Sequence, residues 1–277
     1  MRKSIKRFGW GVVCLLASQG VMAASWTLGA LPSYFTGYYG TQSRIGIFYV
    51  PAYLQYHTSQ WRVKLTVPYI AVSGLPQGAS LTGGTLAQRG GGTMAQRGGG
   101  TQTTSSHTTS SQTSNPSGLG DIWLAAHYTL LPEEGLRPAV VPYVKVKFGT
   151  ASAAEGLGTG RNDYEAGCGF NTTVGTNVFP FVHIAYRIVG SPPGQHLQNI
   201  VTFNGGASIA ASSRTIFTVM YAGAGSEQAG YAGPADVIAS WNFNVTRAGS
   251  GFQVYLDKGL SNGSADVGGG VGGQIVF

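Results

Sequence analysis

The sequence predicts an all-β protein: a transmembrane antiparallel up-and-down β-barrel of about 12 strands. Three observations carry that prediction. Apolar residues recur at every second position through long segments. The connections between those segments alternate short and long. The chain opens on a pattern that fits export.

The alternation is plainest in the last segment. Ala265, Val267, Val271, Ile275 and Phe277 share one parity, while Asp266, Gly268, Gly270, Gly272 and Gln274 take the other. Successive side chains of a strand point to opposite faces, so one face here is apolar and the other is polar or empty. The terminal Phe277, with alternating apolar residues before it, resembles the signal that outer-membrane barrels present to the barrel assembly machinery.

At the other end, Arg2, Lys3, Lys6 and Arg7 precede an apolar run, Phe8 to Ser18, and the small-x-small site Val21-Met22-Ala23. This is the pattern of a secretory signal peptide over 1–23. The apolar run is well short of the ~20 residues that a membrane-spanning helix needs. Residues 24–277 then form a single barrel domain. The full chain carries 17 basic and 10 acidic residues, net +7. The signal holds 4 basic residues and no acid, which leaves 13 against 10, net +3. The basic excess is therefore mostly in the signal, and no basic stripe remains to bind nucleic acid. One cysteine, Cys168, follows the signal, so no intramolecular disulfide can form. It shares its parity with Tyr164, Ala166 and Phe170 and reads as a small lipid-facing residue.

In chain order, Trp26–Phe35 is a first strand that Pro32 weakens. Arg44–His57 is aromatic and β-branched, and its Pro51 predicts a bulge or an edge. Trp61–Val72 alternates cleanly, with Arg62, Lys64 and Thr66 on its polar face. Ser73–Ser117 differs in kind. It holds the tandem repeat TLAQRGGG–TMAQRGGG (85–100) and a Ser/Thr/Gln tract. Such a composition buries too little apolar surface to offset its ordering entropy. Residues 73–117 are therefore expected to form a flexible extracellular loop, whose Arg89 and Arg97 can meet anionic lipopolysaccharide.

The strands then come quickly: Asp121–Leu130, Tyr143–Phe148, Asp163–Thr172, Val178–Ile188, Leu197–Ala211, Arg214–Ala224, Trp241–Thr246, Phe252–Asp257 and the closing segment. Thr58–Gln60, Pro132–Gly135, Gly175–Thr176, Ser212–Ser213 and Ala248–Ser250 are the short connections. Short periplasmic turns and longer outer loops are the pattern of membrane barrels, and an even strand number places both termini in the periplasm. A soluble β-sandwich would need charged outer faces; charged residues are only 10% of this chain, and 44 of its 277 residues are Gly.

Gly118-Leu119-Gly120-Asp121 opens one strand, Lys147-Phe148-Gly149-Thr150 closes the next, and Leu157-Gly158-Thr159-Gly160-Arg161-Asn162-Asp163 follows. This succession resembles the outer-membrane transporter family labelled "MetA-pathway of phenol degradation", which is similar in outline to fatty-acid and aromatic-hydrocarbon channels. The family's Pro-Thr-Gly after the second of these strands is replaced here by Phe148-Gly149-Thr150. The resemblance implies passive transport of small aromatic, hydrophobic or anionic solutes through a cell outer membrane of the Gram-negative type. No residue in it selects a phenol.

The polar parity collects Arg62, Lys64, Lys145, Lys147, Glu165, His183, Arg187 and Asp257, with Asp121 and Asp163. Facing hydrocarbon, each charge would cost several kcal/mol, so these residues must line the interior. They read either as a paired network bracing the wall or as a cationic track for anionic solutes. Gly268, Gly270 and Gly272 point inward and suggest open space. Two further classes stay in view. A structural or adhesin-like barrel would use the 73–117 loop. An outer-membrane lipid hydrolase would need a Ser-His-Asn arrangement, yet His183 has no Ser two residues away on its strand and His127 has no obvious nucleophile. No Cys pair or His pair has metal-ligand spacing, no Gly-rich segment ends in Gly-Lys-Ser/Thr, and no cofactor is expected.

Overall fold

The segments that alternate in sequence become the staves of one closed barrel. The computed structural model describes residues 24–76, 79–82, 102–104 and 113–277. Its twelve barrel strands are β1 (Ser25–Ala30, resumed at Ser33–Gly37), β2 (Ile45–His57), β3 (Trp61–Ser73), β4 (Ile122–Tyr128, with the extension Ser117–Leu119), β5 (Ala139–Phe148), β6 (Asp163–Asn171), β7 (Val178–Ile188), β8 (Ile200–Ala210), β9 (Thr215–Ala224), β10 (Ala235–Asn244), β11 (Gly251–Gly259) and β12 (Val267–Val276). Each pairs antiparallel with its sequence neighbours, and β12 returns to β1 with Leu28 opposite Ile275 and Phe35 opposite Gly268. The Trp26 and Phe277 amides each donate to the other's carbonyl, at 2.8 and 2.9 Å.

The outer surface is built for lipid. Trp26, Trp61, Phe170, Phe217, Trp241, Phe252 and Phe277 are exposed near the end that carries the short turns. Tyr34, Phe48, Tyr69, Phe148, Tyr164, Tyr186, Phe203 and Tyr221 are exposed toward the loop end. Between these rings lie exposed aliphatics such as Leu28, Leu65, Val144, Ile184, Val219 and Val271. Two aromatic girdles flanking an aliphatic band is the exterior of a membrane-spanning barrel.

The prolines act differently from expectation. Pro32 interrupts β1 because it has no N–H to give. The register nevertheless runs through it, with Ala30 opposite Ala52 and Ser33 opposite Tyr49. Pro51 makes neither a bulge nor an edge; it sits in register opposite Pro68. The bulge lies elsewhere. Trp123 is opposite Thr66 but Leu119 is opposite Tyr69, so β4 gains one residue at Gly120–Asp121, beside Pro68. Both of those residues are buried while Leu119 is exposed. Asp121 keeps the inward parity of Trp123, and the bulge turns Leu119, which shares that parity in sequence, outward.

Several boundaries also move. Ser117 belongs to β4's extension and not to the preceding loop. The described margins of that loop form short ladders, Leu75–Pro76 with Thr113–Ser114 and Ser80–Thr82 with Gln102–Thr104. The tandem repeat and the 1–23 segment lie outside the described residues. Ala265, expected on the lipid face with Val267, precedes the strand and is buried in the apolar core.

Candidate functional site: the barrel interior

The inward parity places Arg62, Lys145, Lys147, Glu165, His183, Arg187 and Asp257 in the interior, all buried, and Lys64 beside them, half-buried. Little empty space remains around them. Lys147 and Gln253 are 0% exposed, as are Tyr49 on β2 and Ser208 on β8. The inward glycines of β12 do not open a path, contrary to the sequence expectation. A Cβ on Gly268 would meet the Phe35 ring at 2.1 Å, and one on Gly272 would meet Leu31. The glycines leave room for side chains of β1 and β11 to lie flat against the wall.

The loop-side half is filled twice over. Phe35, Ile45, Ile47, Ile70, Val72, Met220 and Ile238 form an apolar cluster, completed by Leu75, Ala79 and Leu81 from the β3–β4 connection and by Ala151 and Leu157 from the β5–β6 connection. These connections fold inward as a cap. The Leu81 amide donates to the Gly156 carbonyl at 2.8 Å. Gly156 has φ +74°, and a Cβ there would meet the Ala79 carbonyl at 2.6 Å, so the close approach needs glycine. Between these same loops lies a cleft of about 590 Å³, lined in part by Pro76, Ser80, Asn115, Glu155 and Thr159. Its volume suits a small organic molecule.

Beside the cluster stands a lattice of ions. Glu165 takes Lys145 at 2.8 Å on one oxygen and Arg187 at 2.6 Å on the other. Lys147 lies 2.9 Å from Asp163 and 3.2 Å from Asp121, and donates to the Thr159 hydroxyl at 3.3 Å. Asp121 also accepts from the Ala151 amide, tying the cap to the bulge. Arg187 stacks over Trp123 at 5.2 Å and faces Glu227 at 3.7 Å. Glu227, on the β9–β10 connection, is buried within the loop-side mouth. Ion pairs this deep hold only with such multiple partners, because desolvation offsets most of their attraction.

The turn-side half is different. Arg62 and Lys64 project from the start of β3, and Lys64 Nζ lies 4.1 Å from the centre of the Tyr53 ring. His127 packs 5.0 Å from Tyr143, and His183 Nδ1 is 3.0 Å from the Asn204 side-chain Oδ1. His183 and Asn204 would be two members of a Ser-His-Asn set, but they face the interior, away from the lipid surface where an ester would lie. On the opposite wall Ser208 and Thr218 share a hydroxyl bond of 2.7 Å.

Sequence reading missed Glu227, Asp236 and the cap. Glu227 sits in a Gly/Ala/Ser-rich loop with no periodicity. The signal that was available for the cap is the isolated apolar residues Leu75, Leu81 and Leu157 within otherwise polar connections.

Fold and interior together define a membrane-spanning barrel with a charged lumen capped on the loop side. No family model and no curated protein matches the chain. Among solved structures it is similar to the COG4313 outer membrane channel from Pseudomonas putida F1, with a TM-score of 0.66, 12% identity, and coverage of 94% of this chain and 97% of that chain. The NanC porin (TM-score 0.49, 9% identity, 90% and 98% covered) and the P. putida toluene transporter TodX (0.40, 11%, 94% and 89%) are looser matches. The likeness to the COG4313 channel is one of fold.

Proposed function

We propose that the protein is a passive outer-membrane channel for small aromatic, hydrophobic or anionic solutes, with both termini in the periplasm. The observation that carries this is a lipid-facing barrel that encloses ionic side chains. A wall braced only for stability has no need of five interior cations, and a solved structure of similar fold is itself described as a channel. The MetA-like family label rests on the Gly-rich segments at 118–121, 147–150 and 157–163 alone. On this reading residues 1–23 direct export, Phe277 is read by the barrel assembly machinery, and the 73–117 connection faces lipopolysaccharide. Passage requires the loop-side cap to shift, and the Ala151 amide bond to Asp121 is the tie that holds it to the wall. The purified protein in planar bilayers is expected to give small, discrete conductance steps. Silence from a barrel whose folding is shown by heat-modifiable gel mobility would favour the structural, adhesin-like reading, which the filled loop-side interior supports.

A further inference from the structure

The cleft at the loop-side mouth opens between three connections. The β3–β4 connection lends it Pro76, Asn115 and Pro116, the β5–β6 connection Glu155 and Thr159, and the β7–β8 connection Pro192 and Gln195. Among the described residues that line it, Glu155 is the one charged side chain, and none is aromatic. The Glu155 amide is anchored on the Ser152 hydroxyl at 3.3 Å, while its exposed carboxylate makes no ion pair or hydrogen bond with a described residue. Asn115 Oδ1 accepts from the Gly74 amide at 3.0 Å, which leaves the side-chain NH2 for another partner. The Gln195 amide donates to the Pro192 carbonyl at 3.1 Å, and its side chain is exposed at the rim.

The floor of the cleft is negative from below. The buried Thr159 hydroxyl accepts from Lys147 Nζ, and Lys147 serves both Asp121 and Asp163. The ion pairs under the floor set four carboxylates, Asp121, Asp163, Glu165 and Glu227, against three cations, Lys145, Lys147 and Arg187. Gly158 lines the cleft, and a Cβ there would stand 3.2 Å from either Asp121 oxygen, so that carboxylate lies close beneath. Arg161, the next basic residue along the β5–β6 connection, is exposed and not among the lining residues. An anion entering the cleft meets Glu155 and this excess of acid. A purely apolar solute strips water from the amides and hydroxyls without replacing its bonds. A cation that carries hydrogen-bonding groups incurs neither cost.

We propose that the outer cleft is a binding site for a small organic cation of the amino-sugar type, a primary amine on a hydroxylated ring. The amine pairs with the Glu155 carboxylate, the ring hydroxyls bond the Asn115 and Gln195 amides, and the C–H faces of the ring pack on the prolines. The inference requires a folded barrel and no conduction, so it stands apart from the channel reading. It also goes beyond the solutes named there, none of which is positively charged.

The test uses the full chain, folded in a polyoxyethylene detergent that has no sugar head group to compete. It is titrated with glucosamine, glucose and glucuronate, which share one ring and differ in charge, and followed by heat. The chain is net +7, so nonspecific attraction favours glucuronate and works against the expected order. Glucosamine is expected to bind about three- to fivefold more tightly than glucose, and glucuronate more weakly than either. Glu155→Gln is expected to bring glucosamine down to the level of glucose. Gln195→Ala is expected to weaken glucosamine and glucose alike, by about threefold. Glu134→Gln, at the opposite end of the barrel, is expected to change nothing. Equal binding of the three sugars, the reverse order, or a glucosamine preference that survives Glu155→Gln overturns the proposal. Ethylamine matching glucosamine overturns the hydroxylated-ring class. A barrel that is silent in planar bilayers yet shows the expected order loses the channel and keeps the site. A conducting barrel that binds no glucosamine keeps the channel and loses the site.

Discussion

The two halves of the interior use similar residue types to opposite ends. On the loop side, Lys145, Lys147 and Arg187 each meet a carboxylate within 3 Å and pack against an apolar cluster. On the turn side, Arg62 stands directly opposite His57 and His127, and Lys64 lies over the Tyr53 ring. A buried cation with its counter-ion fixed in place is part of the wall. The loop-side half should therefore govern stability more than the turn-side half.

The largest test of that division is Glu165→Gln. It leaves Lys145 and Arg187 buried without their shared acid, and urea unfolding of the folded barrel should show a loss of about 3–5 kcal/mol. Replacing Lys145, Glu165 and Arg187 together with Met, Leu and Met should cost far less, because no unpaired charge remains. Next, Leu157→Ala empties part of the apolar cap and should cost about 2–3 kcal/mol by the same measurement. Gly268→Ala drives a methyl group into the Phe35 ring and should cost about 1–3 kcal/mol, read from the heat-modifiable gel transition. The smallest change is Arg62→Gln. Stability should stay within about 1 kcal/mol of the parent, since glutamine keeps a polar group at the same place on the rung. A large destabilisation there would erase the contrast between the halves.

Much of the architecture was legible because the bilayer is a severe solvent. Ions cannot face hydrocarbon, so the parity of Lys145, Lys147 and Arg187 alone placed them inside. Strand length and the alternation of connections did the rest. Partners were not legible, because they depend on register between strands and on irregularities with no periodic signature. Asp121 meets Lys147 beside the bulge at Gly120, opposite a proline that gives no warning of it. Glu227 reaches Arg187 from a loop, and loop paths leave no period. The glycines of β12 misled for a related reason. A missing side chain marks room, but what fills the room comes from β1, on the far side of the sequence.

The meeting of Trp26 with Phe277 has a consequence for how the chain can be rewired. The two ends of the barrel are hydrogen-bonded neighbours, so the wall is topologically a ring with one cut in it. Where the cut falls is set by the gene and not by the geometry. A circular permutant that joins the ends through a short turn and reopens at Ser212–Ser213 should build the same ring from the same staves. If Phe277 carries the assembly signal proposed above, such a protein would lack that signal alone, so folding in detergent and delivery in the cell would come apart in a single molecule.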